Sequence, residues 1–377
     1  MRNNLSQIWN NIQYKLFPFL EEEQGPLSSQ HKKLISILEL IRIESHLPNL
    51  QGCVGRPRKQ RIALARSFVA KITLKLLYTA QLRDYLLSDK QLRRICGWDN
   101  LRAIPSESTF SRAFEEFSES HLPEVVHQRV IKELYEGSYI GHLTRDSVPV
   151  EAREKAAKKP KKPKKEPRKS GRPKKGEIRE PKEPTRIEKQ FSGIMTLEEM
   201  IRDLPKQCDI GTKKSPKGFA LTWKGYKLHT AIDDHCIPVA AILSSASMHD
   251  SQAAIPLGIK ADCVAKNFYD LMDAAYDTEE IHLHSRSLGH VPIIGQRGVR
   301  VKPEEVHAEE KARTVLRWEP AEDIRYKKRA PAERFNALLK ENYMGTSVRY
   351  REYSKVACHV MFSVLVLAAD LLLRIGW

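Results

Sequence analysis

Leucine and isoleucine recur at three- and four-residue spacing over Gln30–Ile43, QHKKLISILELIRI, and apolar residues do so again over Ala63–Tyr78, ALARSFVAKITLKLLY. That spacing puts the apolar residues on one side of a helix, so both stretches predict amphipathic helices. Thr79 opens another such stretch that ends near Ser88. Asp89–Cys96, a Gly97–Pro105 connection and Ser106–Phe117, with Pro105 just before a serine cap, predict the short helices that close a small bundle. Such a bundle could bind DNA as a helix-turn-helix, serve as a dimerisation platform or simply pack, and the spacing does not choose among these.

Around Tyr139 the period changes from helical to alternating. Tyr139–Val150 (YIGHLTRDSVPV) and Thr222–Asp233 (TWKGYKLHTAID) alternate, and Ile237–Ser244 (IPVAAILS) is a short apolar run after an Asp233-Asp234-His235 turn. These three strands predict a meander. Ser251–Lys266 then reads as a helix, Phe268–Ala274 as a fourth strand, Thr278–Ser287 as a helix and His290–Ile294 as a fifth strand, with helix again from Pro331 onward. The expected fold is α/β, a mixed sheet with flanking helices preceded by an all-α N-terminal region.

Length and charge sharpen this picture. The 377 residues suffice for two or three domains, which excludes a peptide hormone or a lone zinc finger. Sixty-four Lys and Arg against 47 Asp and Glu give a net charge of +17, pointing to a polyanionic partner, nucleic acid ahead of a membrane surface. Seventeen of those cations and six glutamates lie in Ala152–Gln190 alone. This segment is almost free of large apolar residues until Ile178, so it is expected to be disordered. It is either a solvated tether or an arm that neutralises DNA phosphates. Gly171-Arg172-Pro173, followed by Lys174, repeats Gly55-Arg56-Pro57. A G-R-P core resembles an AT-hook, which inserts arginine into a narrow minor groove; the copy at Gly55 reads better as a loop entering a helix.

The six cysteines are scattered without C-x-x-C or Cys/His spacing, as expected of a reduced, cytoplasmic chain. Met1–Leu20 has no apolar core leading to a cleavage site, which disfavours secretion. Val356–Leu373 is mostly apolar and close to the minimum length for a membrane span, but His359, Ser363 and Asp370 interrupt it. A buried C-terminal helix is expected there, and no membrane partner.

The candidate chemistry is acidic. Tyr326, Arg329, Glu333 and Lys340 satisfy Y-x2-R-x3-E-x6-K, and a helix beginning near Pro331 puts Glu333 in its first turn with Lys340 on the same face. Asp146 sits within the first strand and Asp273 at the end of the fourth. An Asp in an apolar strand must be paired, hydrogen-bonded or metal-bound, and two of them with Glu333 could make an all-oxygen site for magnesium or manganese. Strand alternation turns Asp270 away from Asp273. Asp277 reads as a helix cap, and His249-Asp250 as a turn and cap.

These motifs together resemble the DDE transposases of bacterial insertion sequences, specifically the large group sharing the Y-x2-R-x3-E-x6-K signature. The resemblance runs from Asp146-Ser147 through Gly225-Tyr226-Lys227-Leu228-His229, Met248-His249-Asp250-Ser251 and the Asp273–Asp277 block to the signature. It implies an RNase H-like catalytic domain over residues 139–377, interrupted by the basic insertion at 152–190 and preceded by a DNA-binding or dimerisation region at 1–138. It also implies that Asp146, Asp273 and Glu333 bind two Mg2+ ions, with Mn2+ able to substitute, and that Tyr326, Arg329 and Lys340 hold the DNA end. The expected reaction is metal-dependent cleavage at transposon ends and strand transfer into target DNA by a cut-and-paste DDE mechanism, by a homodimer on double-stranded DNA in the nucleoid; the alternatives are a nuclease of the same fold, or a non-catalytic or domesticated DNA-binding protein for which the basic arm and G-R-P motifs suffice. Two departures stand out: Ala275 replaces a glycine common in relatives, tolerable if the backbone there keeps negative φ, and the Lys/Pro insertion follows the first strand directly.

Overall fold

The computed structural model describes residues 2–47, 60–158, 183–214, 218–295, 311, 313, 315, 316 and 319–375. Among the described residues eight α-helices come first: α1 (Arg2–Asn11), α2 (Phe17–Gln24), α3 (Ser29–Ile41), α4 (Arg61–Thr73), α5 (Thr79–Ser88), α6 (Lys90–Ile95), α7 (Glu107–Glu119) and α8 (Leu122–Tyr135). Local chemistry fixes several of their ends. The Ser28 side chain accepts from His31 N at the start of α3, and Asp89 from Leu92 N at the start of α6, each satisfying a first-turn amide. The α3 helix stops at Arg42, which adopts a left-handed conformation (φ 41°). The α4 helix stops at Thr73, short of the predicted Tyr78, and Lys75 just beyond it is also left-handed (φ 57°). The helices α1, α2 and α8 carry no counterpart in the sequence reading.

One sheet follows, built from β1 (Tyr139–Glu151), β2 (Asp209–Lys214), β3 (Ala220–Ile232), β4 (Pro238–Ser245), β5 (Lys266–Met272) and β6 (Val291–Ile294). The predicted meander is present: β1 pairs antiparallel with β3, and β3 antiparallel with β4. Because β3 is long, its first half pairs with β2 and its second half with β4, so these two lie end to end along one side of it. On the other side of β1 come β5 and then β6, both parallel pairings. Where β3 changes partner stands Gly225, at φ 149°; a Cβ there would lie 2.1 Å from Val150 O, so only glycine lets β1 and β3 approach this closely.

The intervening helices are α9 (Arg186–Phe191), α10 (Leu197–Asp203), α11 (Ala254–Asp262) and α12 (Glu279–Ser287), and the chain closes with α13 (Ala321–Tyr326), α14 (Ala330–Leu338) and α15 (Tyr353–Ile375). The expectation of disorder over 152–190 fails at its C-terminal end. Thr185 and Glu188 form a reciprocal capping box on α9, Arg186 pairs with Asp203 at 2.6 Å, and Gln190 is buried. These contacts supply what composition alone does not. Residues 159–182, including Arg172 and Lys174, and the Gly55 copy of the motif lie outside the described residues.

The α15 helix is long and apolar enough to span a membrane, yet it is buried here against α3, α4, α7 and α8. The three polar residues that interrupt it are all bonded within the protein. His359 Nε2 lies 3.2 Å from Met344 O, Ser363 Oγ donates to Tyr343 O and His359 O, and Asp370 accepts from Tyr343 Oη at 2.7 Å and pairs with Lys33 at 2.8 Å. Buried polar groups need such partners. Phe68 of α4 meets Phe114 of α7 and Phe362 of α15 at ring separations of 5.0 and 6.0 Å, and the apolar core continues from these helices to β1, β3 and β4.

Candidate active site

The site grows from the alternation of β1. Leu143 and Arg145 point to the α11 side of the sheet, Thr144 and Asp146 to the other. In the parallel β1–β5 ladder Thr144 lies opposite Leu271, and the same register two places on sets Asp146 beside Asp273. Asp273 sits just past the last residue of β5, where it caps a single 3-10 turn, its Oδ1 accepting from Ala275 N at 2.9 Å. Ala275 is absent from the residues with positive φ, so the departure from glycine carries no strain. Asp270 does face the other way: it is fully buried with Arg145 at 2.6 Å.

The signature lies across these strand ends. Pro331 stands in the first turn of α14, as expected, and the helix continues as a π-helical segment over Leu339–Met344. Asn336, three residues after Glu333 and four before Lys340, donates from Nδ2 to Asp146 Oδ2 at 2.9 Å, so that face of α14 rests on Asp146. Arg329 donates to Tyr326 Oη at 2.8 Å. Tyr326 in turn sits over Gly295 at the end of β6: a Cβ on Gly295 would come within 2.7 Å of Tyr326 Oη and 3.2 Å of Ala274 N.

Electrostatics single out Asp146. Burial raises its carboxyl pKa and the Asp273 carboxylate adds to that, while the Ser147 amide, Arg329 and Lys213 pull the other way. The balance is upward, so this acid is held where ionisation costs energy. Lys340 is half-buried, its pKa lowered by burial and by Lys213 against the pull of Glu151.

Two expected features differ. Glu333 is exposed, without a hydrogen-bond or ion-pair partner among the described residues, and no group of three His, Cys, Asp or Glu among those residues is close enough together to hold a metal ion. The structure therefore brings Asp146 to Asp273 but leaves Glu333 on the helix above them. The chemistry of the pair still suits a hard divalent cation: two carboxylates lie side by side, and Arg329 and Lys213 do not fully offset the desolvation and mutual repulsion that raise Asp146.

Neighbouring polar residues have other roles. Thr278, not Asp277, occupies the N-cap position of α12, and Asp277 lies 3.2 Å from His282 Nε2. His249 caps its 3-10 turn, whereas Asp250 turns toward the sheet and accepts from Lys227 Nζ at 2.8 Å. Asp233 accepts from the His235 and Ile237 amides in the β3–β4 turn, as its sequence predicts. Asn336 was not legible from spacing rules, although its place one turn after Glu333 on the signature face was a usable signal.

Residues 204–368 match the family model of the transposase DDE domain. The match supports a transposase and hence a DNA-cleaving enzyme. It contains Asp273 and the whole signature, while Asp146 lies outside it on the far side of the basic insertion. No curated protein and no solved structure matches the chain.

Proposed function

We propose that this chain is an insertion-sequence transposase with an RNase H-like catalytic domain, which cleaves DNA at the ends of its element and transfers the freed strand into target DNA. The reading is carried by the meeting of Asp146, in the middle of β1, with Asp273 at the carboxyl end of the parallel strand β5 and with the signature helix that rests on Asp146 through Asn336; the carboxyl end of a parallel strand is where ligands of α/β sheets are usually held. A central β1 flanked by an antiparallel meander on one side and parallel strands on the other accords with it.

Asp146 and Asp273 would hold divalent cation, Mg2+ or Mn2+, with Glu333 joining by a side-chain or helix adjustment when DNA arrives. The bound metal would supply Lewis-acid activation of the scissile phosphate and its nucleophile. The chain's own residues do the rest. Asn336 orients Asp146 through its amide. Arg329, preorganised by Tyr326, offers a planar donor set to phosphate oxygens, and Lys340 adds a point charge along the same face. Double-stranded DNA is the partner, bound by a dimer that brings two ends together, in the nucleoid.

The test is metal-dependent cleavage of DNA carrying the element's own ends. Glu333→Gln is expected to abolish cleavage while leaving DNA affinity within about twofold and stability within about 0.5 kcal/mol, because the side chain is exposed. Cleavage that persists in this variant, or a wild-type protein that binds the ends without cutting them in Mg2+, overturns the proposal.

A further inference from the structure

A second charged site lies away from the strand ends, where the end of α4 meets the π-helical segment and the 345–350 loop. Lys71 is 2 % exposed. Its ammonium donates to Tyr350 Oη at 3.0 Å and lies 5.0 Å from that ring's centroid. It has no carboxylate partner among the described residues. Burial brings the Lys71 amine down to about 8, the direction expected of a cation enclosed without a counterion.

Lys71 forms the floor of a cavity of about 90 Å3, several times the room one water needs. The rim carries Lys75 and Arg349, both exposed, with Lys75 held by Asn342 Oδ1 at 2.6 Å and Arg349 resting on the Tyr78 ring at 4.5 Å. His359 lines the inner wall, its pKa lowered to about 4 by burial and by Lys71, so it stays neutral on Met344 O and adds no charge to the cavity. Glu341 is the one acid on the lining, and it is exposed. A buried ammonium and two exposed cations lining one cavity, against a single exposed acid, match the charge of a small oxyanion.

We propose that this pocket binds a phosphate group, with Lys71 as the buried anchor and Lys75 and Arg349 as rim donors. The site is independent of the Asp146–Asp273 centre and of the activity proposed for it. The group could be free phosphate or a backbone phosphate of DNA; the chemistry is the same, and the source is decided by experiment.

The full-length protein is titrated with inorganic phosphate against potassium chloride of equal ionic strength, following the melting temperature and the heat of binding. Saturable, phosphate-specific stabilisation is expected. Lys71→Met should weaken it about tenfold or more, as loss of a charge-assisted hydrogen bond does. Arg349→Gln, at an exposed position that tolerates change, should weaken it several-fold and guards against a misfolded Lys71 variant. A parallel titration with a short DNA duplex separates the sources. Weaker duplex binding in Arg349→Gln assigns the pocket to backbone phosphate, and unchanged duplex binding with weakened phosphate binding assigns it to the free ion. Absence of saturable phosphate binding in wild type, or equal phosphate binding in both variants, overturns the proposal.

Discussion

The two faces of β1 and β5 treat charge in opposite ways. On the α11 side Arg145 and Asp270 are both fully buried and paired at 2.6 Å, with Arg145 also donating to Ala254 O and Asn267 donating to Asp270. One residue further along β1, on the other face, Asp146 is only partly buried beside the partly buried Asp273, and it accepts from the Asn336 amide at 2.9 Å. The first arrangement closes its own electrostatics and needs nothing from outside. In the second, Arg329 and Lys213 do not fully offset the two carboxylates, and that residual cost of ionisation is what the proposed metal would relieve. Burial and partners point the same way: the closed pair is sealed and matched in charge, the open pair is partly exposed and acid beside acid.

The comparison breaks most visibly on the closed side. Asp270→Asn leaves Arg145 buried without its counterion and should cost about 3–5 kcal/mol in denaturant unfolding. The pH dependence follows from the same pair. Burial alone would raise the Asp270 pKa, but Arg145 and His290 overcome it and hold this carboxyl well below the usual carboxylate range. Its stabilisation is therefore complete above the unfolded-state pKa of about 3.9 and is lost as pH falls through the lower folded value. The variant should lose that part of the acid dependence.

The open side should respond with the opposite sign. Asp146 has a raised pKa, so its ionised form opposes folding above the ordinary carboxylate range, and the penalty is relieved as pH falls. Asp146→Asn is expected to raise metal-free stability at neutral pH by roughly 0.5–2 kcal/mol and to remove cleavage. It should also remove any rise in melting temperature that Mg2+ gives the wild type. A destabilised Asp146→Asn would erase the contrast between the faces.

The smallest effect falls on the rim of the site. Lys340→Met should change stability by no more than about 0.5 kcal/mol while weakening DNA binding and lowering the salt slope by about one unit. A change confined to stability, with the slope intact, would place Lys340 in packing and not on phosphate.

Much of this was legible in the sequence because period and spacing carry it. The alternation of β1 separates Arg145 from Asp146, and the same rule turns Asp270 from Asp273. Pro331 marks the start of the signature helix, and the dense apolar run of α15 predicts a buried helix. Other parts were invisible for physical reasons. The β2 strand carries Lys213 and Lys214 with the single large apolar residue Ile210, which is exposed, while its buried positions are Asp209 and Gly211, so no hydrophobic alternation is written in it. Asp250 finds Lys227 only because β3 folds back on β4, a proximity that spacing cannot show. Glu333 is the reverse case: its spacing is legible, but the structure leaves its side chain exposed above the acid pair.

The most direct measurement is Mn2+ binding by electron paramagnetic resonance on the full-length protein with DNA carrying the element ends. The account predicts two ions per chain, loss of both in Asp146→Asn, and loss or weakening of one in Glu333→Gln. Binding that is unchanged in Asp146→Asn, or no Mn2+ bound by the wild type on its DNA, would contradict it.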